Sequence, residues 1–325
     1  MSKDMLSSIK EFSFQFEYEP KIENEENFQK KDRFIIAGMG GSNLGTDFLK
    51  MYKPDLDLHV HRNYGLPSLP SFDSLSEHTL IASSYSGGTE ELIDAYTKAK
   101  ESGMSLIAVT GGGKLLELAK NDKTPYIELP NTGIEPRVAL GFSLRAMLKV
   151  MGDEDALLES GKLKDELQVE DYEKTGKELS EKTKGRVPVI YSSTKNKPLS
   201  RVWKINLNES GKIPSFWNVF PELNHNEMTG FDSIDEMKDR FNFIFLSDSS
   251  DHPRIQKRME VAKKLFEDRN MPVEVIKLES NKGIFYKIFS TVVLAGWHAY
   301  YTAESYGLSA SEVPMVEDFK KMIKD

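Results

Sequence analysis

Three hydroxyl residues and two glycines crowd one short stretch, Ser84-Tyr85-Ser86-Gly87-Gly88-Thr89-Glu90. It follows an apolar run, Thr79-Leu80-Ile81-Ala82, and precedes an amphipathic one, Leu92 to Lys100. That is the pattern of strand, tight turn and helix. Such a turn aims backbone N–H groups and hydroxyls at one point, where the helix dipole favours an anion. A phosphate fits, with Ser84, Ser86 and Thr89 around it.

A second glycine-rich turn, Gly38-Met39-Gly40-Gly41-Ser42-Asn43-Leu44-Gly45, follows the apolar run Arg33 to Ala37. A dinucleotide fingerprint would need a third glycine where Asn43 stands and an acid closing the second strand, where His61-Arg62 occur, so a nicotinamide cofactor is not expected. The P-loop pattern GxxxxGK[ST] is absent. A third polar stretch runs from Asn206 through Asn208-Glu209-Ser210-Gly211-Lys212 to Trp217 and on through Pro221-Glu222-Leu223-Asn224-His225-Asn226-Glu227. Glu209, Glu222, Glu227 and His225 could suggest a metal site, but their spacing is not that of HExxH. A carboxylate moving a proton, with a histidine as a second acid or base, fits as well.

The elements that must carry these residues alternate. Strands are expected at 33–37, 56–62, 79–83, 105–110 and 126–129, with helices after 45 and at 90–102, 114–121 and 138–151. Strand and helix alternating over this length predict a doubly wound parallel α/β sheet, whose ligand sits beyond the carboxyl ends of the strands. Both glycine-rich turns fall there. Residues 152–186, rich in Glu, Lys and Asp with Leu at helical spacing, read as a solvated helical connector. The chain thus divides into 1–151, the connector 152–186 and a second domain 187–325. In the latter, strands are expected at 186–194, 242–247 and 273–278, and helices at 253–270, 282–306 and 314–324. The strand 186–194 ends in hydroxyls and faintly echoes 79–89, which suggests an internal duplication. Phe12 to Tyr18 alternate aromatic and polar residues, which predicts an extended arm with one buried face.

The totals narrow the function. A chain of 325 residues with 39% hydrophobic residues can bury two cores. A net charge of −8 argues against a nucleic-acid partner held on a basic face. There are no cysteines, which removes disulfides, thiolate zinc sites and thiol nucleophiles. Met1 to Glu19 lacks an apolar signal core, and no window approaches a membrane span; a cytoplasmic protein is expected.

Gly38-Met39-Gly40-Gly41-Ser42, Ser84 to Glu90, Glu135-Pro136-Arg137, Asn208 to Lys212 and Pro221 to Glu227 occur in this order and at these separations. Together they resemble the bifunctional phosphoglucose/phosphomannose isomerase family, built from two sugar-isomerase (SIS) domains. The likeness spans about residues 33–325. The SxSGxTxE turn marks the wider SIS group, whereas NExxK with PELNHNE is specific to these isomerases.

The resemblance implies a cofactor-independent aldose–ketose isomerase acting on hexose 6-phosphates through a cis-enediolate, with no metal. Ser84, Ser86 and Thr89 would hold the phosphate, while Gly40, Gly41 and Ser42 line the sugar. Arg137 would stabilise the enediolate, and Glu209 would carry the proton between C2 and C1. His225, reaching in from the partner of a homodimer, would assist ring opening. Lys320, or its neighbour Lys321, matches the family's lysine on its last helix. Many members have Thr-Pro before that helix, where this chain has Val313-Pro314, a departure that bears on the use of mannose 6-phosphate. Two other readings use the same modules. One is a sugar-phosphate sensor without turnover, which leaves Glu209, His225 and Arg137 without a task. The other is an ammonia-dependent isomerase forming glucosamine 6-phosphate.

Overall fold

Two all-parallel sheets organise the protein, each in its own compact unit. The computed structural model describes residues 3–70, 73–232 and 234–323; the side chains of Ser42, Asn43 and Met237 lie outside that description. The first unit holds Glu11–Leu167 with Lys3, and the second holds Asp4–Lys10 and the chain from Gln168 onward.

Helix α1 (Met5–Lys10) belongs to the second unit, where Ile9 packs beside Gly296. The sheet of the first unit comprises β1 (Arg33–Ala37), β2 (Leu58–His61), β3 (His78–Ser84), β4 (Ser105–Thr110) and β5 (Tyr126–Glu128), in the order β2-β1-β3-β4-β5. Its helices are α2 (Leu44–Tyr52), α3 (Glu90–Glu101), α4 (Gly113–Asn121), α5 (Leu140–Met151), α6 (Glu154–Gly161) and α7 (Leu163–Glu166). The inner strands are apolar on both faces and buried on both, as helices covering a parallel sheet require. The strand order reverses between β1 and β3, so the crevice at their carboxyl ends is the switch point.

The second unit repeats the plan. Strands β6 (Val187–Ser193), β7 (Phe216–Phe220), β8 (Phe241–Ser247) and β9 (Val273–Lys277) run in the order β7-β6-β8-β9, which matches β2-β1-β3-β4 strand for strand. Its helices are α8 (Glu173–Thr183), α9 (Lys197–Glu209), α10 (Asp235–Lys238), α11 (Pro253–Glu267), α12 (Ile284–Ser305) and α13 (Pro314–Met322). The duplication is visible in topology, but the expected echo falls on a different strand. β6 occupies the place of β1, and the counterpart of β3 with its turn is β8 with Ser247 to Asp251.

A core of stacked rings holds this sheet, with Phe243 on Phe266 at 4.2 Å and Tyr191 beside Phe220 and Phe245. On the other face, the long apolar helix α12 buries Trp297 and His298. Gly176 of α8 leaves room for the Trp297 side chain, since a Cβ there would lie 2.4 Å from Trp297 Cβ. Trp203 Nε1 on α9 donates to His298 Nδ1 (3.0 Å), and His298 Nε2 meets Thr183 Oγ1 on α8 (2.9 Å). The indole N–H can only donate, so the proton of His298 sits on Nε2 and goes to Thr183. This relay ties α8, α9 and α12 together and so fixes the helix that ends in Glu209.

Two local expectations need revision. Phe12–Glu17 is a 3₁₀ helix, not an extended arm. Phe12 and Phe16 are buried and in edge contact, while Phe14 is 57% exposed. Gln15 decides the turn: its amide donates to Val138 O (2.9 Å) and accepts from Gly141 N (2.9 Å), filling unpaired groups at the start of α5. Residues 152–186 are helical, but the stretch divides at Leu167 between the two units. Four of its five leucines, Leu157, Leu163, Leu167 and Leu179, are buried, while Leu158 is exposed, so the charges form the wet face of helices whose other face is core.

Candidate active site

The turn after β3 is built by interlocking glycines. Gly87 has φ +67°, and a Cβ on it would lie 1.7 Å from Gly112 O in the neighbouring β4–α4 turn. Gly113, at φ +65°, likewise sits against Ser86 O. Gly111 N donates to Tyr85 O (3.0 Å), and Leu115 N donates to Gly87 O (2.9 Å). Two adjacent strand-to-helix turns are thereby locked together. Within the first, Ser84 Oγ is 3.0 Å from Thr89 Oγ1 and accepts from Gly87 N (3.1 Å). Ser84 is buried, Thr89 is half-buried at the start of α3, and Ser86 is exposed. The structure therefore gathers Ser84, Ser86 and Thr89 at the amino end of α3, whose first-turn N–H groups have no partner within the helix.

The turn after β1 lies against the segment carrying Arg137. Gly40 has φ +52°, which a side chain would resist. A Cβ on Gly41 would meet Arg137 Cα at 2.7 Å and Pro136 O at 2.9 Å. The Arg137 guanidinium is buried, and its Nη1 lies 3.4 Å from Glu135 Oε2. Gly40, Gly41 and Arg137 thus meet at the switch-point end of the first sheet. The Ser42 side chain falls outside the described residues.

In the second unit the structure separates two residues that the sequence places close together. Glu209 is the last residue of α9, which returns from the carboxyl end of β6 to its amino end. The following turn is held there. Ser210 N and Gly211 N donate to Asn206 O, Ile213 N donates to Leu207 O, and Ser215 Oγ donates to Pro188 O at the start of β6. Lys212, at φ +61°, reaches back to the Glu209 carbonyl and to Glu312 O. His225 lies beyond the carboxyl end of β7, past the cis Phe220–Pro221 bond, and is exposed. Glu209 and His225 therefore stand at opposite ends of the second sheet, about 17 Å apart along a five-residue strand.

The remaining acids have structural partners. Glu227 accepts from Tyr191 Oη and Asn218 Nδ2, and Glu222 accepts from Asn226 (2.8 Å). Burial, together with the Glu227 hydrogen bond, pushes the Tyr191 phenol far above its ordinary range. Lys320 and Lys321 sit on α13, whose side chains are all exposed, and pair with Glu317 (2.8 Å) and Asp318 (3.4 Å). Val313 stands at the N-cap of α13 and gives it no side-chain cap, which a threonine could supply.

A polar cluster in the second unit was not singled out from the sequence. Asp248, directly after β8, accepts from Asn196 Nδ2 (2.9 Å), Lys287 Nζ (2.9 Å) and Ser250 N (2.8 Å). Burial raises its pKa, but hydrogen bonds from Ser250, Ser280, Asn196 and Lys287 together outweigh burial and hold the carboxyl well below the usual range. The signal was available in Ser247-Asp248-Ser249-Ser250-Asp251 at a strand end.

Known proteins place this architecture. A family model described as the bacterial phospho-glucose isomerase C-terminal SIS domain matches residues 172–323, which lie within the second unit. The chain is 29% identical to a bifunctional phosphoglucose/phosphomannose isomerase of Aquifex aeolicus, with 99% of each chain covered. It is 32% identical to one of Caldicellulosiruptor bescii, with 90% of each covered. Its fold is similar to that of a hypothetical protein of Thermus thermophilus, with a TM-score of 0.69 at 15% identity over 98% of this chain and 89% of that one. Identity at this level along nearly the whole length, on a duplicated parallel fold, shows that this chain belongs to the bifunctional phosphoglucose/phosphomannose isomerase family, with two SIS domains.

Proposed function

We propose that this protein interconverts glucose 6-phosphate, and also mannose 6-phosphate, with fructose 6-phosphate. The observation that carries the reading is the turn Ser84 to Thr89, hydroxyl-rich and seated at a helix amino end in a member of this family. The phosphate binds there and is held away from the reacting carbons, which contributes orientation.

Aldose–ketose exchange then needs an open ring, a base that takes a proton beside the carbonyl and returns it to the next carbon, and a donor for the enediolate. Glu209 is the base. Arg137, buried and fixed through Gly41, is the donor; a lost donor of this kind costs about 2.7–4 kcal/mol. His225 assists ring opening, a contribution typically of about 10²–10⁴-fold. The hydrogen returns to the molecule it left, so the reaction consumes no redox equivalent.

The protein acts as a homodimer in the cytoplasm, with His225 contributed by a second copy. The separation of Glu209 and His225 across the second sheet supports this arrangement. So does the exposed apolar stripe Met315, Val316, Phe319, Met322 and Ile323, which lies at helical spacing in and just after α13. Lys320 on that helix joins the sugar site in the assembly.

The test is a coupled assay of fructose 6-phosphate formation from each aldose phosphate, with Ser86→Ala/Thr89→Ala alongside. The expected result is turnover of both sugars and a KM for glucose 6-phosphate raised at least tenfold in the double variant. An unchanged KM would place the phosphate elsewhere.

A further inference from the structure

At the amino end of the first sheet, opposite the turns just described, four side chains converge without hydrogen-bonding one another. β1 carries Arg33 and Ile35 on one face; His78 pairs with Arg33 on one side, and His59 pairs with Ile35 on the other. Both histidines therefore project from the same face of neighbouring strands, and their rings make edge contact at 5.5 Å. Asp57 precedes β2, and Asp73 precedes β3.

The protonation pattern leaves a lone pair exposed to this cluster. His78 is fully buried, and its Nδ1 lies 2.8 Å from Ser74 O. A carbonyl can only accept, so Nδ1 carries a proton, and in the neutral ring Nε2 holds the lone pair. Nε2 is buried and has no hydrogen-bond partner. It lies 3.6 Å from Asp73 Oδ2; His59 Nε2 lies 3.7 Å from the same oxygen and 3.6 Å from Asp57 Oδ1. These separations are too long for hydrogen bonds. Each is close to one edge of a tetrahedron of ligand atoms, about 3.4 Å for bonds of about 2.1 Å to zinc, and Asp57, His59 and His78 each offer a ligand atom within 4.8 Å of the other two.

Arg33 presets the two carboxylates. Its Nε holds Asp57 Oδ2, and its Nη1 holds Asp73 Oδ1, each at 2.6 Å. The opposite oxygen of each acid is left facing the histidines. Glu77 adds a third carboxylate at 2.9 Å from Nη1. Three acids around one guanidinium leave two negative charges unmatched, the charge of one divalent cation. The backbone carbonyl on His78 and the guanidinium on the acids are the outer partners that orient ligands in metal sites.

We propose that Asp57, His59, Asp73 and His78 form a zinc-class divalent metal site of structural type, remote from the sugar-phosphate turn. Asp73 and His78 are its buried side, and the half-exposed Asp57 and His59 are the entry side. The ion ties the loop before β3 to the amino ends of β2 and β3 and adds stability without entering the reaction.

Full-length protein, stripped with a chelator, is titrated with Zn²⁺ by calorimetry and with Co²⁺ by visible absorption, in wild type, His59→Ala and His78→Gln. The expected result is one ion per chain, a tetrahedral Co²⁺ spectrum, and a Zn²⁺-dependent rise in Tm. Affinity should fall at least tenfold in His59→Ala, whose exposed position spares the fold, while isomerase turnover stays unchanged by chelation. Absence of saturable binding to wild type, or equal affinity in wild type and His59→Ala, would overturn the proposal.

Discussion

Gly41 and Arg137 are packed backbone to backbone, so tightly that a Cβ on Gly41 would lie 2.7 Å from Arg137 Cα. One glycine thereby sets the backbone position of Arg137, whose buried guanidinium is proposed to hold the enediolate.

Gly41→Ala is expected to leave the protein folded but to push Arg137 out of place. A displacement of about 1 Å at a reacting group can cost roughly 10²-fold, so kcat/KM should fall by about that factor. Steady-state kinetics beside a circular dichroism spectrum check this; near wild-type turnover would remove Arg137 positioning as the role of Gly41.

The two glycines of the turn after β3 should respond differently. Gly87→Ala meets both a left-handed φ and a backbone oxygen at 1.7 Å, and a loss of about 3 kcal/mol or more is expected. Gly88→Ala meets nothing within 4 Å and should change stability by no more than about 0.5 kcal/mol. Urea denaturation of both variants measures the contrast.

Glu209→Gln should keep sugar-phosphate affinity and lose most of kcat, and His225→Ala should lose ring-opening assistance. The two residues lie at opposite ends of the second sheet, and in the proposed homodimer each site draws them from different copies. Mixing the two inactive variants under exchange conditions should restore about a quarter of wild-type activity, since half the dimers are mixed and each has one intact site. No recovery in verified mixed dimers would sink the shared-site reading.

His298 should make stability depend on pH. Burial lowers its pKa from 6.5 to about 3, so the unfolded chain takes up the proton first. Its contribution is complete above about pH 6.5 and is lost as pH falls toward 3. Between pH 7 and pH 5 the wild type should lose about 2 kcal/mol from this group. His298→Asn, which cannot titrate, should show a correspondingly shallower decline in denaturant titrations at the two pH values.

The inner strands were legible because both faces are buried: Phe34 to Ala37 and Leu80 to Ala82 are apolar throughout. Strand β7 was not read, because as an edge strand it mixes exposed Phe216 with half-buried Trp217 and Asn218. Phe12–Glu17 misled because aromatics two apart are also aromatics four apart, and only Phe12 and Phe16 are needed inside. The hydroxyl-rich turn after β3 was legible because it is local, made by neighbours in sequence. The separation of Glu209 from His225 was not, because a returning helix lies between them. His78 and Asp73 gave no signal, since their meeting with His59 depends on register across three strands.

The repeated sheet order has a consequence for stoichiometry. In the first unit the turn after β3 gathers Ser84, Ser86 and Thr89 at the amino end of α3, where the anion is proposed to bind. In the second unit the corresponding turn has grown its own: the Asp248 carboxylate sits on Ser250 N and is neutralised by Lys287. A soluble phosphate there would have to displace an acid tethered by the chain itself. The second copy of the turn is thus plugged by its own carboxylate, so the proposed reading expects one sugar phosphate per chain, at the turn of the first unit.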